Sequence, residues 1–177
     1  MVLWKVAAKK KKICLLGDPA VGKTSLIGRY VLDMFDDKYL STIGTKVTKK
    51  NVLIEDEKKG LRIDLALMIW DIVGQKEYKK LHQMYYQNAS GAIAVCDLTR
   101  RETLASLESW VESIFEVNGP IPIVFLGNKA DLQEKITITQ DDLQKIADKY
   151  NTKSFITSAK TGLNVENAFQ TIARLVC

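Results

Sequence analysis

The sequence predicts an α/β domain built on a mostly parallel sheet of about six strands, with one antiparallel edge hairpin and about five helices on both faces. Short continuous apolar runs, typical of buried parallel strands, alternate with segments of helical period. A glycine-rich turn follows the first apolar run, and a short charged connection separates two later strands. A chain of 177 residues fits one such domain with one core.

The first half of the chain contains the glycine-rich turn and the hairpin. We expect a first strand over residues 13–16 and a helix over about 23–34. The arms of the hairpin follow over 46–54 and 61–70. One face of the second arm carries Leu61, Ile63, Leu65, Leu67 and Ile69. The opposite face carries Ala66, Met68 and Trp70, so the end of this arm is expected to be covered on both sides.

The second half supplies the remaining parallel strands. Residues 92–96 and 121–126 are continuous apolar runs, and helical spacing over 102–117 predicts a helix between them. Thr139 and Asp142 form a capping-box pattern that begins another helix. A short strand at 155–156 precedes a closing helix whose buried stripe is Val165, Ala168, Phe169, Ile172, Leu175 and Val176.

Charge divides the chain into a basic N-terminal arm over residues 1–12 and a single domain over 13–177. The arm contains five lysines and no acid, whereas the rest carries 21 basic and 21 acidic residues. A neutral body argues against nucleic-acid binding. The arm is interpreted as a solubilising segment or strand flank, with peripheral contact to an acidic membrane surface as the alternative. Scattered cysteines and the absence of an apolar run of ~18 residues predict a cytoplasmic protein.

Residues 17–24 match the phosphate-binding pattern G-x-x-x-x-G-K-[ST] between a strand and a helix. The glycines allow successive backbone N–H groups and the helix N-terminus to face a phosphate chain. Lys23 is expected to reach the β- and γ-phosphates, and the Thr24 hydroxyl is placed to bind Mg²⁺. The predicted phosphate-binding residues are Gly17, Asp18, Pro19, Ala20, Val21, Gly22, Lys23, Thr24 and Ser25.

Two further motifs follow apolar strands in the order that a nucleotide site requires. Asp71 ends the second hairpin arm, where an acid can hold Mg²⁺ through water. Asn128, Lys129 and Asp131 form an N-K-x-D segment, in which the carboxylate can accept from the N1–H and 2-amino groups of guanine. Adenine offers no such pair of donors, so buried acceptors would reject it. Ser158, Ala159 and Lys160 are expected to complete the base pocket, with the Ala159 N–H directed at the guanine O6.

Taken together, residues 11–177 resemble a small GTPase of the Ras superfamily. Ser41 to Gly44, Trp70-Asp71 and Tyr85-Tyr86 are most similar to the Rab branch. The resemblance implies a P-loop G domain that binds GTP or GDP with Mg²⁺ and hydrolyses GTP. It also implies that Thr42 ligates Mg²⁺ in the GTP state, that Phe35 packs on the guanine, and that Tyr39 lies near the phosphates. Gly74 would donate its N–H to the γ-phosphate, and Gln75 would orient the attacking water.

The resemblance further implies a monomeric switch that works with effector proteins, an exchange factor and a GTPase-activating protein. The segment between Arg29 and Thr42, which the resemblance identifies as switch I, contains no arginine that could assist hydrolysis, so slow intrinsic turnover is expected.

Three features depart from the family pattern. Val73 replaces an alanine, Pro19 removes one N–H from the phosphate loop, and the hairpin is some six residues longer than in typical Rab proteins. The alternative function is therefore a guanine-nucleotide-binding module with little hydrolysis or switching.

Overall fold

The computed structural model describes residues 3–38 and 44–177, and it confirms the predicted α/β architecture. Within these residues six strands form one sheet in the order β2-β3-β1-β4-β5-β6. Only β2 runs antiparallel to its neighbour, β3. The strands are β1 (Lys5–Leu16), β2 (Thr45–Asp56), β3 (Leu61–Ile72), β4 (Gly91–Asp97), β5 (Ile123–Asn128) and β6 (Ser154–Ile156).

Five helical segments of the described chain flank the sheet. They are α1 (Lys23–Leu32), α2 (Lys79–Tyr86), α3 (Arg101–Ala105) continued by α4 (Leu107–Asn118), α5 (Gln140–Lys149) and α6 (Val165–Val176). The predicted single helix over 102–117 is interrupted at Ser106, whose hydroxyl donates to the Glu102 carbonyl at 3.0 Å. The Ser106 N–H donates to the same carbonyl at 3.2 Å, so the two helices are nearly continuous. The capping box between Thr139 and Asp142 is confirmed at the start of α5.

The core lies on both faces of the sheet. On one face α1 and α6 pack on β1 and β3, where the Tyr30 and Phe169 rings stack with centroids 4.1 Å apart. On the other face α2 to α5 cover β4 and β5. The alternating face of β3 is confirmed, because Ile63 to Ile69 are buried at every second position. Leu175, predicted on the buried stripe of α6, is instead 49% exposed.

The strand β1 begins at Lys5, eight residues before the predicted start. Residues 5–12 pair with β3 in continuous register, from Lys5 opposite Leu61 onward. The methylene stems of lysine side chains can lie along a sheet. The Lys12 ammonium group finds partners of its own, because its Nζ lies 3.7 Å from the centroid of the Trp70 ring and donates to the Gln87 carbonyl. Because most of these residues are lysines, the sequence shows no hydrophobic pattern from which this part of the strand could be predicted.

The hairpin of β2 and β3 is long because its strands are long, and its turn is short. β2 and β3 contain 12 residues each, and only residues 57–60 connect them. β1, β2 and β3 consequently extend as a three-stranded sheet past the first residues of β4. No helix of the described ranges is long and apolar enough to cross a membrane.

The five parallel strands end at one edge of the sheet, and the predicted motifs follow these ends. Residues 17–22 follow β1, 73–75 follow β3, 129–131 follow β5 and 157–160 follow β6. Ligands of open α/β sheets bind outside the carboxyl ends of the strands. The topology therefore brings motifs from distant parts of the sequence to one edge.

Candidate nucleotide-binding site

The loop over residues 17–22 wraps tightly between the ends of β4 and β5. Gly17 and Gly22 have φ angles of +143° and +101°, a conformation that side chains disfavour. A Cβ atom on Gly17 would overlap with the Val95 carbonyl oxygen, and one on Gly22 would overlap with the Asn128 side-chain amide. Both glycines are therefore required by close packing as well as by backbone conformation.

Lys23, the first residue of α1, reaches back into this loop. Its Nζ donates to the carbonyl oxygens of Gly17 at 2.8 Å and Asp18 at 3.0 Å, and the side chain is only 7% exposed. Burial lowers the pKa of Lys23 to about 8, although the nearby Asp71 and Asp18 oppose this shift. A buried ammonium group with a depressed pKa gains much from an anion placed beside it.

Thr24 and Asp71 meet beside the loop. The Thr24 hydroxyl donates to Asp71 Oδ2 at 2.5 Å. Asp71 Oδ1 is buried and has no hydrogen-bond partner in the described part of the chain. Burial raises the pKa of Asp71, against the opposing effects of the Thr24 hydrogen bond and the charges of Lys23 and Lys46. An unpaired buried carboxylate oxygen beside a hydroxyl fits a bound divalent cation, whose charge would compensate the desolvation.

The described residues contain no cluster of three or more His, Cys, Asp or Glu side chains that could hold a metal alone. This fits Mg²⁺, which is usually bound by one or two protein oxygens together with phosphate and water. Thr24 and Asp71 supply two such oxygens. Thr42, the third predicted ligand, and Tyr39 lie outside the described residues.

The N-K-x-D segment lies at the other end of the cleft and is bonded to the loop. Asn128 donates from Nδ2 to the Val21 carbonyl at 3.0 Å, and its Oδ1 accepts from the Thr157 hydroxyl at 3.2 Å. The Asn128 Oδ1 also accepts from the Ala159 N–H at 3.3 Å. This bond is long, and the predicted direction of the Ala159 N–H, toward guanine, stays a prediction.

Asp131 is positioned by Ser158. The Ser158 hydroxyl donates to Asp131 Oδ1 at 2.7 Å and also accepts from the Thr161 N–H at 3.1 Å. Since Ser158 is buried and Asp131 is half-buried, the bond fixes the carboxylate at the rim of the cleft. Ser158 thus supports the carboxylate from behind.

A network that the sequence did not predict holds the outer side of the phosphate loop. Asp97, buried at the end of β4, forms ion pairs with Lys129 at 2.8 Å and with Arg100 at 3.1 Å. Lys129 Nζ also donates to the Ala20 carbonyl at 2.7 Å, and Arg100 Nη2 donates to the Pro19 carbonyl at 2.9 Å. Burial alone would raise the pKa of Asp97, but hydrogen bonds from Lys129 and Thr99 outweigh it and hold this pKa below its ordinary value.

This network orients the loop. In a trans peptide the C=O and the following N–H point in opposite directions. Because the carbonyls of Pro19 and Ala20 are held on the outer side, the N–H groups of Ala20 and Val21 face the opposite side, toward the cleft. The only sequence signal was an acid at a strand end, which resembles many turn residues.

Gly74 closes the cleft from the β3 side. A Cβ atom there would lie 2.8 Å from Lys23 Nζ, 2.8 Å from the Pro19 nitrogen and 2.9 Å from the Asp18 carbonyl carbon, so only glycine allows this approach. The preceding Val73 is 4% exposed, and its carbonyl accepts from His82 Nε2 at 2.8 Å. The Gln75 side-chain oxygen is buried, and no described residue bonds to it.

The cleft between these elements has a volume of about 560 Å³. Among the predicted site residues it is lined by Pro19, Ala20, Gly22, Lys23, Thr24, Ser25, Phe35, Gly74, Gln75, Asn128, Lys129, Asp131, Ala159 and Lys160. Gly17, Asp18, Val21, Asp71 and Ser158 lie behind this lining. Asp18, for example, accepts from the Trp110 indole N–H at 2.8 Å. Leu132 also lines the cleft, and it was not predicted.

Comparison with known proteins finds one matching family and several relatives that cover most of this chain. The model of the Ras family matches residues 12–177. The Ras-related protein Rab-13 of Bos taurus is 36% identical over 164 residues, which are 92% of this chain and 78% of that protein. The Ras-related protein Rab-22A of Homo sapiens is 34% identical over 172 residues, 97% of this chain and 86% of that protein. The GTP-binding protein ypt5 of Schizosaccharomyces pombe is 41% identical over 172 residues, 96% of this chain and 79% of that protein.

Proposed function

The chain belongs to the Ras family, and from this premise we propose that the cleft binds GTP or GDP with Mg²⁺ through the residues described above. Ras and Rab proteins are small GTPases, and this chain is accordingly a GTP-dependent switch that hydrolyses GTP. One observation carries the assignment of residues. A single cleft has Lys23 and Thr24 at one end and Asp131 and Lys160 at the other.

The phosphates would lie against the loop over residues 17–24. The inward N–H groups of Ala20 and Val21, the buried Lys23 ammonium and the start of α1 all favour an anion at this position. Pro19 has no N–H to offer, so the loop has one donor fewer near the γ-phosphate. The guanine would lie between Phe35 and Lys160, with its N1–H and 2-amino group donating to Asp131.

Mg²⁺ would be held directly by Thr24 and Thr42 and through water by Asp71. When bound, it would supply positive charge that neutralises the phosphate oxygens. The unpaired Asp71 Oδ1 supports this assignment, because a metal-bound water can donate to it.

Hydrolysis would use few protein groups, because phosphoryl transfer depends mainly on positioning and charge neutralisation. Gln75 Oε1 can accept a hydrogen bond from the attacking water, and the Gly74 N–H can donate to the γ-phosphate. Attack on the γ-phosphorus breaks its bond to the oxygen that bridges it to the β-phosphate, which yields GDP and phosphate. Lys23 stabilises the charge on the β- and γ-phosphate oxygens throughout.

The arginine that the structure places beside the phosphate loop, Arg100, is already bonded to Asp97 and to the Pro19 carbonyl. We therefore propose that a GTPase-activating protein supplies the missing charge, and that an exchange factor and effectors act as for other family members. The three free cysteines fit a reducing, cytoplasmic compartment. The basic residues of β1 fit peripheral contact with an acidic membrane.

The Asp131→Asn variant tests the placement of the base. Guanine donates to the carboxylate from two groups, whereas an amide presents a donor that suits the 2-oxo group of xanthine. We expect the preference for GDP over xanthosine diphosphate to be reversed in competition binding. Asp141→Asn, an exposed acid in the first turn of α5, is the matched control and should keep the preference for GDP. An unchanged preference in Asp131→Asn would place the base elsewhere.

Membership in the family favours a switch over the alternative of a static nucleotide-binding module. Single-turnover hydrolysis of bound GTP separates the two. Conversion of GTP to GDP that is accelerated by Mg²⁺ and abolished in Gln75→Ala supports the switch. Retention of intact GTP over many hours would support the static module.

A further inference from the structure

The three-stranded extension leaves one edge of β1 open. β1 pairs with β3 from Lys5 to Leu15, but it pairs with β4 only from Ile13 to Leu16. On the β4 side of residues 5–12, no strand of the described chain is paired. An unpaired row of backbone donors and acceptors is a template for another strand.

The direction of the backbone groups along this edge follows from two hydrogen bonds. The Lys5 N–H donates to the Gly60 carbonyl at 2.7 Å, on the β3 side. Because alternate residues of a strand face opposite sides, Val6, Ala8 and Lys10 direct their N–H and C=O groups to the open side. The Lys12 carbonyl obeys this alternation, since it accepts from the Ser90 N–H at 2.8 Å just before β4 begins.

These three residues are accessible. Val6 is 65% exposed, and Ala8 and Lys10 are also exposed. The edge is nevertheless held firmly from the other side. The Arg62 guanidinium lies 5.1 Å from the centroid of the Trp4 ring and forms an ion pair with Glu55 at 2.6 Å. The three strands are thus tied together at the far end, so a partner would meet an ordered edge.

Charge indicates which kind of strand this edge would accept. Residues 5–12 contain five lysines and no acid. Two of these lysines have partners at the ends of helices, because Lys9 Nζ donates to the Cys177 carbonyl at 3.0 Å and Lys12 Nζ donates to the Gln87 carbonyl at 2.8 Å. On the neighbouring strand, Asp64 is exposed opposite Ala8. A second copy of this edge would bring lysines against lysines, which is unfavourable. A strand with acidic side chains would avoid this repulsion between lysines.

We propose that the open edge of β1 binds an extended acidic segment of a partner protein, which adds as a further strand alongside residues 5–12. Backbone hydrogen bonds to Val6, Ala8 and Lys10 provide the binding, and the lysines select acidic side chains. This surface lies on the three-stranded extension and involves none of the residues assigned to the nucleotide cleft. It is therefore independent of the proposed nucleotide site.

A fluorescein-labelled eight-residue peptide of alternating threonine and glutamate serves as the probe, with the full chain in its GDP-bound form. A second peptide of the same sequence carries an N-methyl group on every residue, which keeps its charge but blocks strand pairing along both of its edges. Fluorescence anisotropy should show saturable binding of the first peptide, with about tenfold or more weakening for the second. Equal affinity for both peptides would mean attraction by charge alone and would overturn the proposal.

Two variants of the protein locate the binding. Ala8→Pro removes an outward N–H without touching the bonds to β3, and proline is tolerated on edge strands. Lys10→Glu reverses a charge on the same edge. Each should weaken the peptide by about fivefold or more, whereas Lys145→Glu, an exposed lysine on α5, should not. Wild-type affinity for the peptide in both edge variants would overturn the proposal. Sedimentation of the protein without peptide gives a second check, because a dimer that Ala8→Pro dissociates would show that the edge pairs with a second copy of this chain, and this would also overturn the proposal. GDP affinity should stay constant throughout, since none of these residues lies in the cleft.

Discussion

The two sides of the cleft differ in how completely their polar groups are paired. On the β5 side, Asp97, Arg100, Asn128 and Lys129 bond to one another, to the segment after β6 or to the phosphate loop. On the β3 side, buried oxygens of Thr45, Asp71 and Gln75 have no partner among the described residues. Both sides are formed by residues at the ends of strands, so the difference is not one of architecture.

The difference indicates what each side does. Leaving a buried polar atom unpaired costs about 1–3 kcal/mol, so three such oxygens together at one side of a cleft favour a ligand that pairs with them. The hydroxyls of Tyr30 and Tyr86 also have no partner in the described ranges, but they are single atoms within the core. The β5 side holds the shape of the loop and of the base pocket before nucleotide arrives. In the function proposed above, the metal, the γ-phosphate and water would complete the β3 side. The β5 side would then serve every nucleotide, and the β3 side mainly GTP with Mg²⁺.

The largest effect is expected on the β5 side. Asn128→Ala removes the amide that bonds the Val21 carbonyl, the Thr157 hydroxyl and the Ala159 N–H, leaving buried groups unpaired. At about 1 kcal/mol for each bond, affinity should fall roughly a hundredfold, and equally for GDP and GTP. Dissociation rates of fluorescent nucleotides provide the measurement. Asn118→Ala, which removes a bond to the Tyr86 carbonyl far from the cleft, should lower stability without changing affinity. A loss confined to GTP would contradict this comparison.

A smaller and selective effect is expected on the β3 side. Asp71→Asn keeps an acceptor for Thr24 but removes the charge that would hold Mg²⁺ through water. With Mg²⁺ present, GTP affinity should fall about thirtyfold, while with EDTA it should change less than about threefold. The nucleotide-free protein should melt no earlier, because a buried carboxylate with a raised pKa has been neutralised. Asp64→Asn, an exposed acid on the same strand, is the control. Equal losses with and without Mg²⁺ would show that Asp71 is structural.

Arg100 tests the outer anchor of the loop. Arg100→Ala frees the Pro19 carbonyl, and the loop should then sample orientations that turn the Ala20 N–H away from phosphate. We expect nucleotide dissociation to become about tenfold faster, with partial rescue in Arg100→Lys. The adjacent Arg101 bonds instead to the Thr137 carbonyl and Asp142, so Arg101→Ala should leave dissociation unchanged. Similar rates of nucleotide dissociation in Arg100→Ala and Arg101→Ala would show that Arg100 does not orient the loop.

The smallest effect concerns pH. Burial lowers the pKa of Lys23 in the free protein to about 8, and bound phosphates raise it, so binding takes up a proton above that pH. Affinity for GDP should therefore decrease as pH rises, by about fourfold from pH 7 to 8.5. Calorimetry in buffers of different ionisation enthalpy measures the proton uptake directly. Lys23→Arg keeps its charge over this range and should show no such decrease, though it will bind more weakly. A flat profile in the wild type would mean that Lys23 stays charged without phosphate.

The sequence predicted the parts of the site that depend on local spacing. The loop over 17–24 requires several residue types at fixed positions after a strand, so it could be recognised by itself. The segment from Asn128 to Asp131 is short, and it was recognised by its position after the loop and Asp71. Their convergence followed from the rule that parallel strands end at one edge. The prediction missed Asp97 and Arg100, because their role depends on two carbonyls that are distant in sequence.

The fold shows the same limit. The strand over residues 5–12 could not be found from hydrophobic pattern, since its lysines are placed by pairing with β3 and not by burial of their own. Leu175 was a different kind of error, because it lies about 100° around α6 from Val176, at the edge of the stripe that this helix buries. Elements defined by their own periodicity were predicted, and those defined by a partner were not.

The length of the hairpin has a mechanical consequence. β2 begins at Thr45, directly after the segment that contains Thr42, and β3 ends at Ile72, just before Gly74. From Ile72 to Leu61 a strand spans about 36 Å, so a tilt of about 5° at the cleft would displace the distant tip by about 3 Å. Because β1 pairs with β3 from Lys5 opposite Leu61 to Leu15 opposite Asp71, any such tilt would carry all three strands together. A pair of fluorophores, one on the 57–60 turn and one on α5, would test whether the distance between these two places changes when GTP is hydrolysed.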